Sequence, residues 1–208
     1  MCEGLIKAFA ELKNYPFIPK TKGRTVETEV ADLIARHIGG TIVSKGGNET
    51  PSKFNARIGR LAKPYIILQP NGSQSVPDLR VVTDTRSVDI ECKRSKNGKA
   101  MWNSGYPKAD TVYVYNGNDP ANTAEHTTYV LGADLITPDE ETALGSMLDA
   151  FRGVKEKYNK GLLKDSKFRL EHIRPMYKET GQNRWLIHPE KRSREAVVLS
   201  HLDTFLQP

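Results

Sequence analysis

The sequence predicts an α/β fold, a mixed β-sheet flanked by helices. Three observations carry that expectation. A helical-period apolar run lies near the start of the chain, a series of short β-branched and aromatic runs follows between turn residues, and a second, longer helical run opens at Pro138. In residues 25–38, Val26, Val30, Leu33, Ile34 and Ile38 recur at helical spacing, Thr25 stands where an N-cap is needed, and Gly39-Gly40 supplies the stop. A strand is expected at 41–44. Residues 50–63 predict a shorter helix displaying Lys53, Arg57 and Arg60, and 65–68 a short apolar strand ahead of the turn-rich stretch 70–77. Residues 78–83 and 88–94 read as a hairpin around Asp84-Thr85-Arg86-Ser87. Strands are expected at 110–115, ended by Asn116-Gly117-Asn118-Asp119-Pro120, and at 128–131. From Thr137, Pro138 at the first helical position and the acids Asp139, Glu140 and Glu141 suit a helix N-terminus, with Leu144, Met147, Leu148, Phe151 and Val154 as the apolar face. His37 falls on the apolar arc of the first helix, where a satisfied core histidine is expected.

Of 208 residues, 38% are hydrophobic and 27% charged, the composition of a folding chain rather than a disordered one. The longest apolar runs, such as 65–68 and 196–199, stop far short of the roughly 20 residues of a membrane span. Cys2 and Cys92 are too few for a disulfide framework or a four-ligand zinc cluster, so any metal must be held mostly by oxygen ligands. The start of the chain has no secretory pattern, and a cytoplasmic protein without membrane partners is expected. The net charge is +6, but residues 1–151 carry 18 basic and 18 acidic side chains while 152–208 carry 13 and 7. Two further basic stretches lie at 45–63 and 93–108, and a polyanion is the natural partner for such stripes. No phosphate loop or dinucleotide fingerprint is present.

The hairpin concentrates the chemistry. If Thr83 pairs with Val88, Asp78 lies opposite Lys93 and Arg80 opposite Glu91. Alternation then sends Asp89, Glu91 and Lys93 to one face with Asp78, and Val88, Ile90 and Cys92 to the other. Two carboxylates, a backbone carbonyl and waters suit Mg²⁺, with Asp78, Glu91 and the backbone of Cys92 as ligands. A neighbouring lysine can orient or deprotonate an attacking water and offset charge developing on a phosphate. The alternative for the same residues is an exposed cross-strand ion-pair set.

Pro77-Asp78, twelve residues, then Glu91-Cys92-Lys93 on paired strands resembles the PD-(D/E)XK nucleases, which include most type II restriction endonucleases. The resemblance covers residues 25–115. It implies a restriction endonuclease-like core, Mg²⁺ held by Asp78 and Glu91, and Lys93 serving the hydrolytic water. Many members add a Glu from the first core helix, and here Glu27 lies within the arc of Val26, Val30 and Ile34; a first-turn acid favoured by the helix dipole is the equal alternative. A second match, Pro138-Asp139 with Asp165-Ser166-Lys167, is set aside because Pro138 opens a helix. The implied organisation is one endonuclease domain over 1–208, with a catalytic core at about 24–160 and a basic region at 161–208.

Beyond Lys93, the stretch 94–108 holds Lys96, Lys99, Trp102, Asn103, Ser104, Tyr106 and Lys108, residue types that grip phosphates and read base edges. Trp102 itself is expected to pack on the sheet. With Lys53, Arg57 and Arg60, the residues Lys96, Lys99, Asn103, Ser104 and Lys108 are the candidate DNA contacts. The resemblance implies a type II restriction endonuclease cutting double-stranded DNA, a homodimer matched to a two-fold site, and a DNA methyltransferase partner in the same system. The alternatives are a structure-specific or repair nuclease resembling Holliday junction resolvases, and a DNA-binding module with an inert acidic cluster.

Overall fold

The computed structural model describes residues 2–18, 25–71, 76–95, 102, 105–117, 126–170, 186 and 188–205. Six strands form one mixed sheet in chain order: β1 (Thr41–Ser44), β2 (Tyr65–Leu68), β3 (Leu79–Val82), β4 (Ser87–Ser95), β5 (Val112–Gly117) and β6 (Thr127–Leu131). Strands β1 and β2 pair in parallel, as do β4 and β5; the other three neighbouring pairs are antiparallel. Parallel neighbours need a crossover, and between β1 and β2 it is supplied by helix α3 (Pro51–Ile58). The remaining helices are α1 (Cys2–Leu12), α2 (Val26–Ile38), α4 (Pro138–Lys160) and α5 (Lys191–Phe205). No described helix is long and apolar enough to cross a membrane.

The ends of α2 follow from its sequence. Thr25 Oγ1 accepts the Thr28 amide while the Thr28 hydroxyl accepts the Thr25 amide, a reciprocal cap, and Gly39 closes the helix at φ 66°, a left-handed conformation that glycine adopts freely. Helix α4 is capped in the same way by Thr137 and Glu140 behind Pro138.

Each face of the sheet is covered differently. One face carries Ile66, Leu79, Val81, Val88, Ile90, Val112, Val114 and Tyr129, packed against Leu5, Phe9 and Leu12 of α1, Val30 and Ile34 of α2, and Val198 and Leu202 of α5. The opposite face has two smaller apolar clusters. Val43, Phe54, Tyr65 and Ile67 form one over β1 and β2; Trp102, Tyr113, Tyr115, Val130, Leu135 and Leu186 form the other over β5 and β6. Between them, on β3 and β4, alternation leaves Arg80, Asp89, Glu91 and Lys93, so a polar strip runs down the middle of this face.

Several expectations need correction. Helices α1 and α5 were not anticipated. The final strand begins at Thr127, and β5 starts at Val112 and runs through Asn116, which was expected in a turn. Asn116 is fully buried: its Oδ1 accepts the Ile18 amide at 2.9 Å and its Nδ2 donates to the Pro16 carbonyl and to Thr127 Oγ1. That amide ties the segment after α1 to the sheet. His37 sits at the rim of α2, its ring bonded to Glu11 of α1 at 2.8 Å, rather than in the core. Of the apolar face foreseen on α4, only Leu148 is buried.

Candidate active site

The hairpin register differs from the expected one. Thr83 folds back on Arg86, its amide and hydroxyl both donating to the Arg86 carbonyl, so the turn comprises residues 83–86 and Val82 pairs with Ser87. Arg80 therefore lies opposite Asp89 instead of Glu91, and clamps it with two hydrogen bonds of 2.6 and 2.8 Å. Continuing the ladder past Leu79 and Ile90 brings Asp78 beside Glu91 instead of Lys93. The shift is two residues, so every side chain keeps its face.

Asp78 and Glu91 hold each other through the backbone. The Asp78 amide donates to Glu91 Oε2 at 3.1 Å, while Asp78 Oδ2 accepts the Cys92 amide at 2.8 Å. Lys93 Nζ donates to Glu91 Oε1 at 2.5 Å and lies 5.6 Å from the centre of the Trp102 ring. On the other side, the Asp78 carbonyl accepts the amide of Gln69, a non-glycine residue at φ 48°. Such a conformation persists only where surrounding contacts enforce it.

This is not an exposed ion-pair set. The side chains of Glu91 and Lys93 are 8% and 13% exposed. Trp102, itself buried, meets Tyr113 edge-on at 5.8 Å, and Tyr113 neighbours Glu91 across the parallel pair. The Tyr113 hydroxyl accepts the Lys108 amide at 2.8 Å, which holds the connection before β5 in place. Gly132 is required there, since a Cβ at that position would meet the Lys108 carbonyl at 1.8 Å.

Burial, and next the neighbouring Glu91 charge, push the Asp78 carboxyl up to about 7, against the opposing pull of the Cys92 amide. Glu27 acts in the same upward direction on Asp78, and on the Cys92 thiol, whose ionisation is suppressed first by burial. The charge of Glu27 thus reaches the site from the first turn of α2. Cys92 points its side chain into the helix-covered core, leaving only its backbone for the site.

Two carboxylates held side by side in a low-dielectric setting, one of them strained toward protonation, fit a cation. Glu91 is already bonded at both oxygens, and Asp78 Oδ1 accepts no hydrogen bond from a described residue. No three Asp, Glu, His or Cys side chains among the described residues form a metal-holding group. Mg²⁺ takes few protein ligands and keeps several waters, and the residues that could hold one here are Asp78 and Glu91, with the Cys92 carbonyl.

The candidate DNA contacts fare unequally. Lys53 and Arg60 are exposed on and just beyond α3. Arg57 is engaged within the protein, by Glu49 through two hydrogen bonds and by the Ser44 carbonyl at 2.8 Å. Lys108 reaches Glu141 of α4 at 3.2 Å and covers the Tyr106 ring at 3.9 Å. Lys96, Lys99, Asn103 and Ser104 lie outside the described residues. Sequence reasoning missed Tyr113 and Gln69; the Pro70-Asn71 turn after Gln69 was the available signal for the latter. Comparison with family models, curated proteins and solved structures returns no match for this chain.

Proposed function

We propose that this chain is a Mg²⁺-dependent DNA endonuclease with a restriction endonuclease-like core, hydrolysing phosphodiesters of double-stranded DNA at a short specific site as type II restriction enzymes do. The observation that carries the reading is the reciprocal backbone bonding of Asp78 and Glu91 on adjacent strands, with the Lys93 ammonium bonded to Glu91. The sequence also carries basic segments at 45–63 and 93–108, which suit a polyanionic substrate.

Asp78, Glu91 and the Cys92 carbonyl would hold the ion, which when bound supplies Lewis acidity and lowers the pKa of water. The protein's own groups do the rest. Lys93, fixed by Glu91 and walled by Trp102, presents N–H donors that orient a water and offset charge gathering on the phosphate oxygens. Glu27, through its charge on Asp78, raises the demand for a counter-ion at the same point. Arg60 and Lys53 grip the DNA backbone. The working partners are double-stranded DNA, a second copy of the chain, and a methyltransferase that protects the host's own sites.

Incubation with unmethylated phage DNA and Mg²⁺ tests the proposal. Discrete fragments that disappear with EDTA support it. A smear would assign the same centre to a nonspecific or structure-selective nuclease, and intact DNA would leave a binding module.

A further inference from the structure

Helix α4 is the longest helix in the described chain, yet among the described residues it makes no extensive packing with any other helix or strand. It touches the body through one narrow face. Glu141 meets Lys108, Gly145 lies against the Tyr106 ring, and Leu148 is buried. Beside that face runs an apolar stripe of Leu144, Met147, Phe151, Val154 and Tyr158, spaced three and four apart, the seam period of paired helices. Met147, Val154 and Tyr158 are 43%, 47% and 39% exposed. A stripe of this length left in water signals a partner surface.

The charges on the helix identify the partner. Residues 138–149 carry Asp139, Glu140, Glu141 and Asp149 and no basic side chain; residues 150–160 carry Arg152, Lys155, Lys157 and Lys160 against Glu156 alone. Two copies laid parallel would set acid on acid and base on base. Laid antiparallel about a two-fold axis near Asp149, the acidic half of each meets the basic half of the other. The same operation sets Leu144 beside Val154 of the second copy and Met147 beside Phe151, so apolar residues meet across the middle of the seam, while Tyr158 falls beside Glu140 at either end. A surface complementary to itself after a two-fold rotation is what an isologous dimer requires.

We infer that α4 is a homodimerisation helix, pairing antiparallel with the α4 of a second copy through Leu144, Met147, Phe151 and Val154. The pairing does not depend on the hydrolase reading, and its test involves no DNA. Sedimentation of the full chain at micromolar concentration should give twice the 23.3 kDa chain mass. Val154→Glu, at an exposed position, should weaken the dimer about tenfold or more with an unchanged circular dichroism spectrum, because it sets a charge in the apolar seam. Orientation is read by cross-linking in a Cys2→Ser background. Leu144→Cys and Val154→Cys chains should form a disulfide when mixed, whereas Leu144→Cys alone should not, since antiparallel pairing separates its two copies by about 15 Å along the axis. A monomeric wild type, a dimer indifferent to Val154→Glu, or self-linked Leu144→Cys would each overturn the inference.

Discussion

The Asp78 amide donates to the Glu91 carboxylate, while the Asp78 carboxylate takes the amide of the residue after Glu91. Two acids that repel are thereby fixed in register by the strands' own backbone. One consequence is that these side chains are structural as well as functional. Asp78→Ala would leave the Cys92 amide without its acceptor and should lower stability by about 1–3 kcal/mol. Asp78→Asn retains an acceptor oxygen and should fold nearly as well. Urea unfolding of the two variants separates the effects.

The raised Asp78 carboxyl makes stability depend on pH. Its value of about 7 in the folded state exceeds the ordinary 3.8, so between these limits the folded chain holds a proton that the unfolded chain has released. The contribution is complete below about pH 4 and is lost as pH rises through 7. Metal-free wild type should therefore lose stability across that window, and Asp78→Asn should lack this part of the slope. Identical pH profiles for the two proteins would exclude Asp78 as the titrating group. Binding of Mg²⁺ should in turn strengthen with pH up to about 7, because the ion must displace that proton.

Trp102 closes the site over Lys93 and Tyr113. Trp102→Ala should cost about 3–5 kcal/mol in thermal or denaturant unfolding, the usual loss for a buried tryptophan. Trp102→Phe should recover much of that stability, because an aromatic ring is kept against Tyr113 and Lys93. Equal stability of the Ala variant and wild type would show that Trp102 does not close the site.

Arg57 and Arg60 should separate in DNA binding. The Arg57 charge is met by Glu49, whose carboxyl is held down to about 2 chiefly by its hydrogen bonds with Arg57, while Arg60 has no ion pair among the described residues. Arg60→Ala should reduce the log–log salt dependence of binding by about one unit. Arg57→Ala should change it less and loosen the connection between β1 and α3. Fluorescence anisotropy over a salt series reads the slopes, and a larger change for Arg57→Ala would place the phosphate contact there.

Much of the sheet was legible because its signals are local. The strands 41–44 and 65–68, the capped helix before them and the Pro138 helix start all rest on neighbouring residues, and they stand where expected. Helix α5 was not legible. It docks through Val198 and Leu202, a stripe only two residues wide, together with the buried Glu195, which bonds Lys13, Arg192 and Thr128. Hydrophobic periodicity does not register polar burial of that kind. At the site, alternation put Asp78, Glu91 and Lys93 on one face. The pairing was ambiguous, since a two-residue slip leaves every face unchanged and only the Thr83–Arg86 turn decides it. Trp102 packs on the sheet as expected, but nothing in the letters says that it does so on Tyr113 beside Lys93.

The central claim is that Asp78 and Glu91 together hold the ion that cleavage needs. The most direct measurement is Mg²⁺-dependent cleavage of plasmid DNA by Asp78→Asn and Glu91→Gln beside wild type, with folding checked by circular dichroism and metal binding by calorimetry. Wild type should cut, and both variants should lose about 10³-fold or more in rate together with their Mg²⁺ binding. Cleavage at the wild-type rate by either folded variant, or a wild type that cuts equally well in EDTA, would contradict the account.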